Sequence, residues 1–282
     1  MVGGSLRGPP DRFRAVASPV PATRHRAAFD ADGYLVREAV LDADECERLC
    51  AAVETVSAAV SEHATRPDAG PSATLADGHR IQLSARTAIQ WEWSEGSRAI
   101  RLLEPCDHLH PELTTLFDDP RLTGPVVDEL GPTPAPFTSK LNFKRAAEGS
   151  EFPWHQDYPY WYTAIGAAAQ DVITAIVFLD DATAANGALR VLPGSHRDGP
   201  VRRDPDDPTR FLTDPTALAV DTARTLEVPA GTAVWFGAFL VHCSSPNTSA
   251  RHRRALLPSW QPAGRARLQT FPYDFTRVEE LP

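Results

Sequence analysis

The clearest helical period comes early in the chain. In "FDADGYLVREAVLDADECERLCAAVETVSAAVSEHA" the run "GYLV" reads as a strand that enters a turn. After the turn, Cys46, Leu49, Cys50, Val53 and Val56 recur at the spacing of one helix face. Asp42 is the expected N-cap, and Glu45, three residues on, is its capping-box partner. Residues 66–80, "RPDAGPSATLADGHR", are polar and carry Gly and Pro, which predicts a loop. Strand character starts within 81–104, around "AIQWEW" and "RAIRLLE", and two short helices are expected near 107–117 and 120–130.

After Pro136 the period becomes two. "FTSKLNFKR" alternates, and "DVITAIVFLDD" is the apolar run of a buried strand. "GALRVLPGSH" is a strand running into a turn, while "ARTLEVPAGTAVWFGAFLVHCS" and "RRALLPSWQPA" supply further strands. The stretch 196–222 is charged and proline-rich, so it is expected to leave the strands as an excursion, a candidate lid. Helices gathered early and strands late predict a mainly β fold with flanking helices, a β-sandwich or jelly roll with helices on one face. Residues 27–282 are expected to form one domain, preceded by a flexible, Arg- and Pro-rich lead, 1–26.

Composition narrows the function classes. The formal net charge of -9 disfavours a nucleic-acid binder, which would present a basic face. No apolar run reaches the about 18 residues of a membrane span, and the N-terminal segment lacks the apolar core of a secretory signal. Cys46, Cys50, Cys106 and Cys243 form no CxxC pair, so reduced thiols and a cytoplasmic protein are expected. Of the 28 basic residues only Lys140 and Lys144 are lysines, and both lie in one short stretch.

Candidate chemistry rests on the histidines. Two His-x-Asp triplets occur, His155-Gln156-Asp157 and His196-Arg197-Asp198. On a strand, residues two apart point the same way, so either triplet could offer an imidazole and a carboxylate to one metal. Fe(II) held by two His and one carboxylate keeps its other face open for substrates. The third ligand must come from a distant strand, and His242 ends the apolar run "AVWFGAFLVH". The interval from His155 leaves room for the intervening strands; the interval from His196, itself at a turn, does not. Beyond His242, Arg253 sits on the next strand, where a guanidinium can grip a carboxylate bidentately. Arg251 should share its strand face and Arg254 should oppose it.

The set "WHQD", "NGALRVLPGSHR", "GTAVWF" and "VHCSSPNTSARHRR", in this order and spacing, resembles the phytanoyl-CoA dioxygenase family of Fe(II)/2-oxoglutarate oxygenases. The likeness runs from "FDADGYLV" to about "PSW". It implies a double-stranded β-helix, with His155, Asp157 and His242 as iron ligands and Arg253 paired with the tail carboxylate of 2-oxoglutarate. Ser244, Asn142, Phe152 and Trp161 match cosubstrate-contacting positions in ectoine hydroxylase-like members. The implied reaction spends O2 and 2-oxoglutarate to hydroxylate an unactivated C–H bond of a small molecule. Desaturation, epoxidation and ring closure share its first step and stay open. Related halogenases carry a small residue at the carboxylate position; Asp157 fills it here, which favours oxygenation. A specialised-metabolite or amino-acid-derived substrate is expected. The competing class, a non-catalytic jelly-roll binding protein, is disfavoured by the intact ligand set.

The remaining candidates concern substrate. Tyr158, Tyr160, Trp161 and Tyr162 follow Asp157 and are read as aromatics at the pocket mouth or as packing. Gln156 should point away from the metal. Lys140, Asn142 and Lys144 share a strand face, so one lysine can grip a substrate anion. Trp91 and Trp93, with Gln90, are read as bordering the pocket or as core. Asp107, His108 and His110 read as a solvated helix start rather than a second metal site.

Overall fold

In the computed structural model the described residues are 22–75, 77–92, 98–207 and 211–268. In chain order the elements are α1 (Ala22–Asp32), β1 (Tyr34–Arg37), α2 (Ala43–His63), β2 (Ser72–Thr74), β3 (Arg80–Ser84), β4 (Thr87–Trp91) and β5 (Ile100–Glu104). There follow α3 (Pro111–Thr114), α4 (Pro120–Leu130), β6 (Ala135–Lys144), β7 (Phe152–His155), α5 (Asp157–Ile165), β8 (Ile173–Phe178) and β9 (Leu189–Val191). The last strands are β10 (Arg224–Leu226), β11 (Ala233–Gly237), β12 (His242–Ser244) and β13 (Arg253–Gln261). Helix α1 spans the boundary that the sequence places at residue 26; residues 1–21 lie outside the described residues.

Two antiparallel sheets face each other. The larger runs β1-β11-β8-β13-β6-β5-β4-β3-β2, the smaller β10-β9-β12-β7. Strand alternation sorts side chains into two layers. Ala175 and Val177 on β8, Leu141 and Phe143 on β6, and Leu256 and Trp260 on β13 pack under Leu49, Val53 and Val56 of α2 and Leu122 and Val126 of α4. The opposite parity, Ile176, Phe178, Ala255 and Leu257, meets Leu189 and Val191 of the smaller sheet. Helices therefore cover one face of a sandwich whose other face forms its interior, the jelly roll expected from the sequence. Burying each such Leu, Val or Phe contributes about 1.5–3 kcal/mol.

Helix α2 starts as its sequence dictates. Asp42 accepts from the Glu45 N–H and Glu45 accepts from the Asp42 N–H, both at 2.9 Å. Just before β11, Gly231, at φ 83°, accepts from the Val40 and Leu41 N–H groups that follow β1. A Cβ there would lie 2.2 Å from the Leu41 carbonyl oxygen, a contact only glycine permits. No helix of the described residues is long and apolar enough to cross a membrane, and all four cysteines are free thiols.

Candidate metal centre

The centre begins with a strand pair. β7 and β12 run antiparallel, and His155 is the direct cross-strand partner of His242. Directly opposed residues face the same side of a sheet, so the two rings come within 4.2 Å, centroid to centroid. Asp157 completes the group, and one ligand atom from each residue lies within 4.8 Å of the others. The route differs from the expected strand. β7 ends at His155, Gln156 is an extended N-cap (φ −110°, ψ 147°), and Asp157 is the first residue of α5. The link between His155 and Asp157 is still extended, which keeps their side chains on one side.

Each imidazole is oriented by its own chain. His155 Nδ1 lies 2.7 Å from the Pro153 carbonyl oxygen and His242 Nδ1 lies 2.9 Å from that of Leu240. Protonated Nδ1 donates to these acceptors and leaves each Nε2 lone pair for a metal, an outer support typical of metal-bound His. Burial holds both imidazoles below their ordinary range, so they are neutral, the ligand form. Burial alone would raise the Asp157 carboxyl, but Lys140, His242 and His155 outweigh it and keep the pKa low. Lys140 Nζ stands 3.7 Å from Asp157 Oδ1 and lies over the rings of Tyr160 and Trp161 at 4.6 and 5.0 Å.

A cavity of about 220 Å³ opens from this centre between the sheets. Arg253, Ser244, Asn142 and Phe152 line it beside the three ligands. Arg253 is 3% exposed, its Nε has no hydrogen-bond partner, and burial pulls its pKa down to about 10. The Oδ1 of Asn142 is likewise buried without a partner. A buried guanidinium and a buried amide oxygen left unsatisfied are costly unless a ligand meets them; the guanidinium fits a carboxylate-bearing cosubstrate, whereas the amide oxygen fits a hydrogen-bond donor. Arg254 takes the opposite face as predicted and binds Asp180, at 2.8 and 2.7 Å. Arg251 precedes β13 and is exposed, so it shares no strand face with Arg253.

Several expected substrate contacts fall elsewhere. "DYPYWYTAI" is a helix, and its period sends only Asp157 and, three and four residues on, Tyr160 and Trp161 inward. Tyr160 lines the cavity and donates to Glu104 Oε2 at 2.6 Å. Trp161 lies deeper, buried with Phe137, Ala169 and Val172, and meets the site through Lys140. Tyr158 and Tyr162 lie on the other side of the helix, and Tyr158 packs on Phe239 at 4.6 Å. Lys144 is 1% exposed, and its Nζ is tied to the carbonyl oxygens of Ser150 and Ser245 at 2.7 and 2.6 Å. It therefore braces the fold and is not among the residues that line the cavity. Trp91 belongs to the helix-side core, whereas Gln90 lines the cavity; Trp93 lies outside the described residues. Asp107 is buried and accepts from Ser139 Oγ at 2.6 Å, while His110 caps α3.

Three further parts of the wall come from the excursion expected as a lid, from Gln156 and from β5, whose residues the sequence did not assign to the site. Phe211 and Leu212 come from the excursion, which is pinned by Thr213 N–H donating to the Trp154 carbonyl at 2.8 Å. Gln156 helps hold it. Its Nε2 donates to Gly199 and Phe239 carbonyls at 2.8 and 2.6 Å, and its Oε1 accepts from the Val201 N–H at 3.0 Å. Glu104 and Arg101 enter from β5. Burial raises the Glu104 pKa against the opposing pull of Lys140.

A jelly roll that gathers two imidazoles and a carboxylate at one end of its interior, with a partnerless arginine beside them, defines the class of non-haem iron oxygenases. The chain belongs to the phytanoyl-CoA dioxygenase (PhyH) family, which matches residues 29–255. It is 36% identical over 181 residues to the L-proline trans-4-hydroxylase of Streptomyces griseoviridis, covering 58% of this chain and 68% of that protein. The ectoine dioxygenase of Bordetella parapertussis is 31% identical over 168 residues, 55% of this chain and 54% of its own length. Among solved structures, EctD from S. alaskensis with 2-oxoglutarate and 5-hydroxyectoine superposes with a TM-score of 0.65 at 24% identity. That match covers 89% of this chain and 79% of the other, a likeness of fold.

Proposed function

We propose that the protein is an Fe(II)/2-oxoglutarate-dependent dioxygenase that hydroxylates an unactivated C–H bond of a small, amino-acid-derived molecule in the cytoplasm. The observation that carries this reading is the pairing of His155 with His242 beside Asp157, at the mouth of a cavity that also holds the unpartnered Arg253. Iron with 2-oxoglutarate and O2, when bound, supplies oxidising power by coupling decarboxylation of the cosubstrate to oxidation of the C–H bond.

The chain supplies position and exclusion. His155, Asp157 and His242 would hold the metal, with both imidazoles fixed by backbone carbonyls. Arg253 offers its guanidinium to the tail carboxylate of 2-oxoglutarate, with Ser244 and Asn142 as polar neighbours and Phe152 as an apolar wall. Lys140 keeps Asp157 ionised and oriented. Phe211 and Leu212 cover the substrate side against water. No side chain is required to remove a proton from the substrate. The relatives named for proline and ectoine act on small molecules, which supports a substrate of similar size.

The test is succinate formation from 2-oxoglutarate in the presence of Fe(II), ascorbate and air. His155→Ala should abolish both succinate formation and iron retained after gel filtration. Full activity in that variant would sink the assignment.

A further inference from the structure

The cavity wall carries a cation that neither the metal centre nor the cosubstrate requires. β5 and β4 pair with a shift of register between Gln90 and Trp91: Gln90 faces Leu102, Trp91 faces Ile100, and Arg101 is the extra residue. Such a bulge re-aims a side chain. Ile100 and Leu103 point to the helix-side core, while Leu102 and Glu104 line the cavity. Strict alternation could not give that pattern, and the bulge turns Arg101 to the cavity side as well.

The guanidinium is held firmly and left partly uncommitted. Its plane stacks on Phe152, 3.7 Å from the ring centroid. Nε donates to Ser150 Oγ at 2.9 Å, Nη1 to Gln90 Oε1 at 3.4 Å, and Nη2 to the Glu151 carbonyl. These acceptors are all neutral, and they use three of the five N–H groups a guanidinium carries. Glu92, Asp77 and Glu151 oppose the effect of burial on its charge, and none of their carboxylates is paired with it within ion-pair distance among the described residues. Ser150 is itself fixed. His79 Nε2 lies 2.9 Å from its Oγ, and Asp77 Oδ2 lies 2.9 Å from His79 Nδ1. This relay has the order of a hydrolase triad, but Ser150 is 8% exposed and its oxygen already accepts from Arg101. Its role is to position the arginine.

The other cations near the site are committed. Lys144 is tied to backbone carbonyls and Lys140 to Asp157. Arg253 stands on β13, and β6 separates it from β5. Two interstrand steps amount to about 10 Å, which places Arg101 on the wall shared with Gln90 and Asp77, away from Arg253. We infer that Arg101 is the receptor for a carboxylate carried by the substrate, making the enzyme selective for small carboxylic acids of amino-acid size. The inference rests on the oxygenase reading above and names the group by which its substrate is held.

The experiment titrates enzyme loaded anaerobically with Fe(II) and 2-oxoglutarate with L-proline, ectoine and L-prolinamide, by calorimetry. At least one of the two carboxylates should bind the wild type. Arg101→Gln should weaken that binding about 30-fold or more, Arg101→Lys should recover part of it, and 2-oxoglutarate affinity should stay within about threefold. L-Prolinamide should bind no better than the carboxylates bind Arg101→Gln. In wild type alone, L-prolinamide should bind about 30-fold or more weakly than the carboxylate that binds, and this second comparison decides the matter should Arg101→Gln fail to fold. Unchanged carboxylate binding in Arg101→Gln, equal binding of proline and its amide, a loss confined to 2-oxoglutarate, or no carboxylate binding to the wild type each overturns the inference. Succinate formation by the wild type is scored separately, so a failed substrate assignment is distinguished from a failed oxygenase reading.

Discussion

Replacing Arg253 by Met should stabilise the ligand-free protein and cripple its use of 2-oxoglutarate. The guanidinium is 3% exposed, and burial takes its pKa from the ordinary 12.5 to about 10. At 1.36 kcal/mol per pH unit, holding that charge in the empty site costs about 3 kcal/mol. Met keeps the apolar stem and removes the charge. It forfeits the contact with the Phe178 ring at 5.7 Å, worth about 0.5–1 kcal/mol. The net expectation is a gain of roughly 2 kcal/mol without ligand. The cosubstrate reverses the order: truncating one partner of a buried charge pair costs about 2–5 kcal/mol, or roughly 30- to 5,000-fold in 2-oxoglutarate affinity. Urea unfolding in chelator should show the Arg253→Met midpoint above wild type, by roughly 0.5–1 M for a slope of 2–3 kcal/mol/M. Anaerobic Fe(II) with 2-oxoglutarate at about 100 times its Kd should add about 2.7 kcal/mol to wild type alone. A loss of more than about 1 kcal/mol without ligand, or a KM for 2-oxoglutarate within about threefold of wild type, would refute the role of Arg253 as a buried charge held for the cosubstrate.

Three further outcomes are expected. His242→Ala should lose bound iron by metal analysis and lose succinate formation, while its far-ultraviolet dichroism stays unchanged. Lys144→Met should leave the KM for any substrate unchanged and lower stability by about 1–3 kcal/mol, because it strips donors from two buried carbonyls. Its pH dependence has a definite sign: burial, with Arg253 and Arg101 adding, lowers the Lys144 pKa from 10.5 to about 6. Between those values the unfolded chain binds the extra proton, so the wild-type advantage over Lys144→Met should grow as pH rises from about 6.5 to 9 in urea titrations. Gln156→Ala should free the 199–201 turn and loosen Phe211 and Leu212, raising succinate formed per substrate consumed; an unchanged ratio would show that Gln156 does not hold the lid.

What the sequence disclosed follows period and pairing. The capping box of α2, the alternation of β6 and the apolar run of β8 are local signals, and each formed where expected. The gathering of His155, Asp157 and His242 was legible because a two-residue interval and a strand-terminal His carry geometric meaning. Local pattern failed where tertiary contacts decide. "YPYWY" has no clean apolar period, so its helix and the division between Tyr160 and Tyr158 were invisible. Lys140 and Lys144 share a strand face, yet one reaches the metal ligand and the other is captured by the carbonyls of Ser150 and Ser245. Arg101 depends on a bulge, a pairing irregularity that "RAIRLLE" does not announce.

The electrostatics of the cavity favour anions before any ligand arrives. Lys140, Lys144, Arg253 and Arg101 stand on three adjoining strands, β13, β6 and β5. Only Lys140 has a carboxylate within ion-pair distance among the described residues, and that carboxylate is the metal ligand Asp157. Glu104, which could cancel the field, has a raised pKa and accepts from the Tyr160 hydroxyl. Burial, with Arg253 and Arg101 adding, lowers the Lys144 pKa to about 6, and its Nζ donates to the carbonyl oxygens of Ser150, Ser245 and, at 3.5 Å, Ser244. Two guanidiniums remain charged, about two interstrand steps apart. Such spacing lets the tail carboxylate of 2-oxoglutarate take Arg253 without neutralising Arg101, so the second anion must come from another molecule. Cosubstrate and substrate then relieve the same repulsion, so on electrostatic grounds each should bind somewhat more weakly when the other is present.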